Sequence, residues 1–168
     1  MKLREAQKIA ERIRAILVPH CERCMIAGSI RRQKPEPNDI EIVCIPQKAA
    51  GLFAMEGRSA WWQRRSIPEI GERLKGLPIE NKYIKFMLPE GIKLDLFTAT
   101  RDNWGLIFAI RTGSAEFAHH VLATGWVRAG YQSKNGLLSK NGANVPVREE
   151  KDLFNLIGIP FVDPQERI

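Results

Sequence analysis

Two short segments of the chain place acidic residues between apolar ones, and this alternation constrains the fold more than any other feature. Asp39-Ile40-Glu41-Ile42 is the first segment and Lys93-Leu94-Asp95-Leu96-Phe97 is the second. Apolar and polar positions that alternate with a period of two predict half-buried β-strands, which turn their carboxylates to one face. Three carboxylates brought together repel one another unless cations neutralise them. We therefore predict a Mg²⁺ site formed by Asp39, Glu41 and Asp95.

A glycine-serine turn precedes the first acidic strand. Gly28 lets the backbone approach a ligand closely, and Ser29 offers a hydroxyl. Either Arg31 or Arg32 can meet a phosphate as a planar charged fork, while Arg31 can equally be a solvated neighbour. Acids for metal ions beside donors for phosphates are typical of phosphoryl transfer, in which metal ions bridge a triphosphate and the attacking hydroxyl.

Two further motifs follow in the second half of the chain. Thr112-Gly113-Ser114 is followed by Phe117, and Glu150-Lys151-Asp152-Leu153-Phe154 is followed by Pro164. Together with the glycine-serine turn and the acids, these segments resemble the family X DNA polymerases, the polymerase beta relatives within the nucleotidyltransferase superfamily. The resemblance runs in the family's order along nearly the whole chain.

The resemblance implies a role for each candidate site residue. Asp39 and Glu41 would hold two Mg²⁺ ions, with Mn²⁺ as a possible substitute, whereas Asp95 would bind only the catalytic ion and help to deprotonate a primer 3′ hydroxyl. Five residues would bind the nucleotide: Gly28, Ser29, Arg32, Gly113 and Ser114. The family's turn at Gly113-Ser114 carries a non-proline cis peptide, a costly conformation expected only at a functional site.

Four positions depart from the family's pattern. Glu41 stands where the family's polymerases usually have aspartate, Ile110-Arg111 stands in place of an aromatic pair, and Ala118 replaces a base-contacting asparagine. The wider superfamily accepts either acid, so metal binding is still expected. Sugar selection and base fidelity do not carry over from the family.

An α+β fold is predicted, with a nucleotidyltransferase palm over residues 1–101 and a small α/β thumb over 102–168. In the palm, residues 3–17 have helical apolar spacing up to Pro19, and a mixed sheet should include strands over 24–27 and 39–45 and a hairpin over 83–99. A palm helix over 68–75, after Trp61 and Trp62, completes this part. In the thumb we expect helices over 103–110, 114–123 and 150–157, the second capped by Ser114, and short strands around Trp126, Leu137 and Val145. The family's N-terminal lyase segments have no counterpart, so we expect a minimal palm-and-thumb form.

Composition favours a nucleic-acid partner. With 168 residues and 44% hydrophobic composition, the chain can bury a real core, and no window approaches ~18 uninterrupted apolar residues. The charged start of the chain is unlike a signal sequence, so we expect a soluble, cytoplasmic monomer with no membrane partner and with reduced, mostly buried cysteines. A net charge of +7 suggests a polyanion, because basic side chains release counterions from a phosphate backbone.

Three functions stay open at this point. The first is an X-type DNA polymerase that fills short gaps during DNA repair, with gapped or primer-template DNA and nucleoside triphosphates as partners. The second is a template-independent nucleotidyltransferase acting on RNA, a small molecule or a protein. The third is a catalytically silent nucleic-acid-binding module. The thumb signature favours the first.

Overall fold

A computed structural model describes residues 1–47 and 83–168 of the chain. The helix predicted over 68–75 and the Trp61-Trp62 pair lie outside these residues. Among the described helices, none combines the length and the apolar character that crossing a membrane requires.

The chain begins with the predicted amphipathic helix. Helix α1 spans Leu3–Leu17 and buries Ala6, Ala10, Ile13 and Leu17, whose spacing of three or four residues places them on one face. A single 3₁₀ turn over Val18–His20 contains Pro19 and ends the helix. Strand β1 follows over Cys21–Ile26, so it begins at Cys21 rather than at the predicted Cys24.

Four strands form a mixed sheet in the order β1-β2-β4-β3. Their bounds are β2 over Asp39–Pro46, β3 over Tyr83–Met87 and β4 over Lys93–Thr98. β2 and β4 are parallel, whereas β1 pairs with β2 and β3 pairs with β4 in antiparallel fashion. The predicted hairpin and the predicted α+β class with a mixed sheet are therefore confirmed.

The two faces of the sheet have different neighbours. Ile40, Ile42, Leu94 and Leu96 are completely buried against α1. The opposite face carries the acids near the start of the strands, and further along it Val43 and Phe97 belong to a cluster with residues of the next helix. Because side chains alternate along a strand, burial of one set against α1 forces the carboxylates onto the other face.

Helix α2 spans Gly28–Arg31, between β1 and β2, and helix α3 spans Trp104–Thr112, after β4. The second of these ends two residues beyond the predicted end at Ile110. The next helical stretch is capped as predicted, because the Phe117 backbone N–H donates to Ser114 Oγ at 3.0 Å. It runs as a π-helix over Phe117–Ala123 and continues as α4 over Thr124–Arg128. The strand predicted around Trp126 was therefore wrong. Trp126 packs in the thumb core with Leu122, and this burial favours continuation of the helix.

A small antiparallel sheet and a last helix complete the described chain. Its strands are β5 over Gln132–Lys134, β6 over Leu137–Lys140 and β7 over Ala143–Val145. Asn141 and Gly142 both have positive φ, the conformation that a two-residue type I′ hairpin turn requires. Helix α5 spans Glu150–Leu156, and a 3₁₀ turn over Pro164–Glu166 precedes the C-terminus.

A second hydrophobic core lies within residues 106–162, with Leu122, Leu153 and Phe154 at its centre. The third cluster connects the sheet to α3 through Val43, Phe97 and Phe108. The separate cores are compatible with a palm over 1–101 and a thumb over 102–168, but this division stays a prediction. The three cysteines, Cys21, Cys24 and Cys44, are free and buried, as expected.

Candidate active site

The three candidate metal-binding acids lie on two adjacent parallel strands. Glu41 pairs directly with Asp95 across β2 and β4, and Asp39 pairs with Lys93. Side chains paired in this way point to the same face of the sheet, so all four lie on the face away from α1. Lys93 therefore shares a face with Asp95, and its positive charge opposes the rise in the pKa of Asp95 that burial causes.

Glu41 has the most perturbed carboxylate of the site. Burial, followed by the negative charge of Asp39, raises the pKa of Glu41 to about 7. The charge of Asp95 adds to this effect, while Arg111 and Arg32 oppose it. A cation that approaches such a carboxylate stabilises its charged form, which burial and the neighbouring acids disfavour.

Asp95 is also held in an unfavourable environment for a charge. Its side chain is buried, and Oδ1 has no hydrogen-bond partner among the described residues. Burial raises its pKa, although a hydrogen bond from Tyr83 and the charge of Lys85 act in the opposite direction. A buried carboxylate oxygen without a partner is costly unless a ligand satisfies it.

The donor set fits a divalent cation. Carboxylate oxygens are the ligands that Mg²⁺ and Mn²⁺ prefer. The unpaired oxygen of Asp95 and the raised pKa of Glu41 both favour the binding of such an ion. As their side chains stand, no three histidine, cysteine, aspartate or glutamate residues of 1–47 and 83–168 are grouped to hold a metal ion. The identity of the metal and its ligands therefore stays a prediction.

The glycine-serine segment is a short helix, α2 over Gly28–Arg31, rather than the predicted turn. Gly28 has φ +61° at its start. A Cβ atom at this position would lie only 2.0 Å from Glu41 Oε2, so any side chain here would collide with that carboxylate. Gly28 thus makes room for an acid of the site.

An open pocket of about 340 Å³ lies between α2, the start of β2 and the end of α3 with the Gly113-Ser114 turn. Ser29 and Arg32 line it from α2, and Gly113 and Ser114 line it from the thumb; the remaining lining residues are Lys34, Asn38, Asp39, Glu41, Ile110, Arg111, Ala115 and Ala118. Four of the five predicted nucleotide-binding residues and two of the three acids therefore meet at one cavity. Gly28 and Asp95 do not line the pocket. Gly28 packs against the Glu41 side chain, and Asp95 is the partner of Glu41 on the neighbouring strand.

Ser29 and Arg32 differ in how far their polar atoms are already engaged. Ser29 Oγ is buried and has no hydrogen-bond partner among the described residues, so it is available to a ligand. Arg32 Nη1 donates to the Thr112 carbonyl oxygen at 2.5 Å. Burial lowers the pKa of Arg32, whereas Glu41 and Asp39 favour its charged form.

The family resemblance implied a cis peptide at Gly113-Ser114, and this prediction was wrong, because the described residues contain no cis peptide bond. Gly113 is extended, with φ −65° and ψ 158°, and it ends α3. In the trans form the Ser114 backbone N–H donates to the Arg167 carbonyl oxygen at 2.9 Å. The C-terminal segment thereby supports this turn from outside the pocket.

Arg31 is neither solvated nor directed at a phosphate. Its guanidinium donates to Thr112 Oγ1 at 2.6 Å and forms a two-pronged ion pair with Glu150, at 2.8 and 2.7 Å. Glu150 also accepts from Arg167, whose side chain is completely buried. We call this cluster of Arg31, Glu150 and Arg167 the ionic joint. Sequence reasoning missed it, because Arg31 and Arg167 are 119 and 17 residues away from Glu150 along the chain.

Two other residues of the site were not predicted. Arg111 lines the pocket with its guanidinium carbon 4.0 Å from the centre of the Phe97 ring. Tyr83 stacks on the same ring, at 4.8 Å between centroids. The position of Arg111 next to Thr112 in the sequence was a usable signal, and the hairpin register that pairs Tyr83 with Phe97 was another.

Comparisons with known proteins agree with this architecture. Residues 108–168 match the family model described as DNA polymerase beta thumb. A ternary P/T complex of Leishmania infantum polymerase beta has 18% identity and a TM-score of 0.67, over 100% of this chain and 76% of that one. A ternary gap complex of the same polymerase has 19% identity and a TM-score of 0.71, over 99% and 70%. No curated protein is detectably similar to the chain.

At these identities, the solved structures establish a common fold. The described architecture is an α+β fold of the polymerase beta kind, and the thumb model matches its C-terminal part. The chain therefore has a polymerase beta-like fold, in line with the resemblance that the sequence motifs indicated.

Proposed function

We propose that the protein is an X-type DNA polymerase, which adds deoxynucleotides to a primer 3′ hydroxyl. The observation that carries the proposal is the pocket in which Asp39 and Glu41 of the sheet face Ser29 and Arg32 of α2. Acids and phosphate donors that converge on one cavity are the requirements of phosphoryl transfer. The similarity of the fold and of the thumb to polymerase beta supports the same reaction class.

Each residue has a defined part in the proposed reaction. Asp39, Glu41 and Asp95 would hold Mg²⁺ or Mn²⁺, which would supply positive charge to stabilise the negative charge that develops during the transfer. Ser29 and Arg32 bind the triphosphate through a hydroxyl and a guanidinium. Asp95 helps to take the proton from the 3′ hydroxyl, whose oxygen then attacks the α-phosphorus, and pyrophosphate leaves.

DNA is the partner that the charge and the comparisons favour. The net charge of +7 suits a polyanion, and the two solved relatives are a ternary P/T complex and a ternary gap complex. We therefore propose primer-template or gapped DNA as the substrate and short-gap repair as the cellular role.

One observation favours a second candidate, a nucleotidyltransferase that needs no template. Ala118 lines the pocket at the position where the family has a base-contacting asparagine. A methyl group cannot donate or accept the hydrogen bonds by which a base is recognised. This substitution weakens the link between the bound nucleotide and a templating base.

Primer extension on three substrates distinguishes these functions. Gapped DNA, open primer-template DNA and unpaired DNA are each supplied with Mg²⁺ or Mn²⁺ and all four deoxynucleotides. We expect extension that follows the template and is fastest on gapped DNA. Equal extension of unpaired DNA would favour the template-independent enzyme. An absence of transfer in both ions, with DNA binding retained, would favour a silent module.

A further inference from the structure

Arg111 is a half-buried arginine whose charge faces the candidate active site. Its side chain lies over Phe97, 4.0 Å from the ring centre, and Tyr83 stacks on the same ring. Contact with an aromatic face holds a guanidinium plane in a restricted orientation. Arg111 is thus positioned by packing, and its head group lines the pocket.

The hydrogen-bonding capacity of Arg111 is not fully used within the protein. Its Nε is buried and finds no acceptor among the described residues. Two other arginines do have such acceptors, since Arg23 pairs with Glu149 and Arg31 with Glu150. A buried donor without an acceptor is costly unless a ligand completes it.

The acids of the site partly balance the charge of Arg111 in the ligand-free protein. Its positive charge acts on Glu41 across the pocket. In the proposed function a divalent cation neutralises that acid, which leaves the guanidinium facing the cavity without its negative neighbour. The loaded site therefore has a place for an anion beside Arg111.

We propose that Arg111 binds a phosphate group of the substrate, on the thumb side of the pocket and in addition to Ser29 and Arg32. This inference rests on the proposed function. A guanidinium matches phosphate with two parallel hydrogen bonds, which makes phosphate the preferred anion for a fixed arginine. The phosphate belongs either to the incoming triphosphate or to the backbone at the primer end.

Two binding measurements distinguish these sources. The dissociation constant for a deoxynucleoside triphosphate is measured with Mg²⁺ and without DNA, and the constant for primer-template DNA is measured without nucleotide. The variants are Arg111→Met, which removes the charge and keeps an unbranched apolar stem, and Arg111→Lys, which keeps the charge. Arg4→Met is the matched control, because Arg4 is exposed on α1. Thermal unfolding checks that each variant is folded.

For Arg111→Met we expect one of the two constants to rise by about tenfold to a hundredfold, the effect of losing a charged hydrogen bond. Arg111→Lys should recover part of this loss, and Arg4→Met should leave nucleotide binding unchanged. A rise for the nucleotide assigns the triphosphate. A rise for DNA, with a salt slope smaller by about 0.9, assigns a backbone phosphate.

Arg111→Met and Arg111→Lys variants that bind both ligands within about twofold of the parent would overturn the inference. The proposed function would survive this result if the parent still extended primers. A parent protein that neither binds nucleotide nor transfers it would overturn both proposals. If Arg111→Met does not fold, the comparison of Arg111→Lys with the parent still tests phosphate geometry, because a lysine cannot form the two-pronged contact.

Discussion

At the scale of single residues, Glu41 is the centre of the site's electrostatics. Burial and Asp39 raise its pKa to about 7, Asp95 is its direct cross-strand neighbour, and Gly28 leaves the space that its carboxylate occupies. Glu41 stands where the family usually has aspartate, and its longer side chain packs closely against Gly28. The backbone at Gly28 thus leaves room for the glutamate.

We expect Asp95→Asn to reduce nucleotidyl transfer by at least about a hundredfold. The amide keeps the shape of the side chain but loses the charge that would hold the catalytic ion and accept the proton. Single-turnover extension of gapped DNA measures the effect, with nucleotide binding as the control for an intact pocket. Undiminished turnover would remove Asp95 from the catalytic set.

The two conservative variants of Glu41 should behave differently. Glu41→Gln removes a charge from the proposed metal site and should abolish transfer, whereas Glu41→Asp should retain activity and shift the preference between Mg²⁺ and Mn²⁺. Mg²⁺ demands near-ideal octahedral geometry at about 2.0 to 2.1 Å, so it should be the more sensitive ion. Rates are compared in both ions. A Glu41→Gln variant as active as the parent would show that Glu41 is not a ligand.

At the scale of elements, α2 shows how a short helix serves the site. Gly28 at its start approaches Glu41, Ser29 points into the pocket region, and Arg31 at its end reaches the thumb. The glycine-serine motif was readable in the sequence, but its helical form was not, since four residues are too few to show a helical period. The element's three contacts come from three different parts of the chain.

We expect Gly28→Ala to be destabilising and to impair transfer. Its Cβ would lie 2.0 Å from Glu41 Oε2, and φ +61° adds strain of about 1 kcal/mol or more. Gly91→Ala is the matched control, because Gly91 has φ +76° and no atom within 4 Å of its added Cβ. Denaturant unfolding of both variants separates backbone strain from the collision.

The collision predicts a coupling that can be measured. In Gly28→Ala combined with Glu41→Asp, the shorter acid should relieve part of the clash, so the two changes should cost less together than the sum of their separate effects. Strictly additive free energies of unfolding would mean that Gly28 and Glu41 do not meet as described.

At the scale of the whole molecule, the ionic joint connects α2 with α5 and the C-terminal segment. Arg31 of α2 and Arg167 near the C-terminus share Glu150 of α5, and Thr112 accepts a further hydrogen bond from Arg31. Burial alone would raise the pKa of Glu150, but hydrogen bonds from the two arginines outweigh it and lower that pKa. The joint links α2 to α5 and to Thr112, which precedes the Gly113-Ser114 turn that lines the pocket.

We expect Glu150→Gln to lower the free energy of unfolding by about 3 to 5 kcal/mol at pH 7, because it leaves buried arginines without their counter-charge. Since the folded pKa of Glu150 is lowered, its stabilisation is complete above the ordinary glutamate value of 4.5 and is lost as pH falls through the folded value. The difference between parent and variant should therefore shrink in acid. Urea unfolding at several pH values measures it.

A surface ion pair provides the control for this prediction. Glu36→Gln breaks the exposed Lys2–Glu36 pair, whose N–O distance is 2.8 Å, and should change stability by no more than about 1 kcal/mol. Equal effects of Glu36→Gln and Glu150→Gln would contradict a special role for the buried joint.

DNA binding should weaken steeply as salt rises from low to physiological concentration. The net charge of +7 predicts phosphate contacts, each of which contributes about 0.9 to the slope of log affinity against log salt. Fluorescence anisotropy with labelled gapped DNA measures the slope. A dissociation constant that does not respond to salt would count against a polyanionic partner.

The sequence by itself determined the alternating strands, the face on which Asp39, Glu41 and Asp95 lie, the helix cap at Ser114, and the family resemblance. These features follow from local period and from motifs a few residues long. The tertiary structure decided what surrounds them: Arg111 over Phe97, Gly28 against Glu41, and the joint between Arg31, Glu150 and Arg167. Such contacts join residues far apart in the chain, so no local pattern encodes them. Trp126 is the converse case, where burial in the thumb core extended a helix through a segment predicted to be a strand.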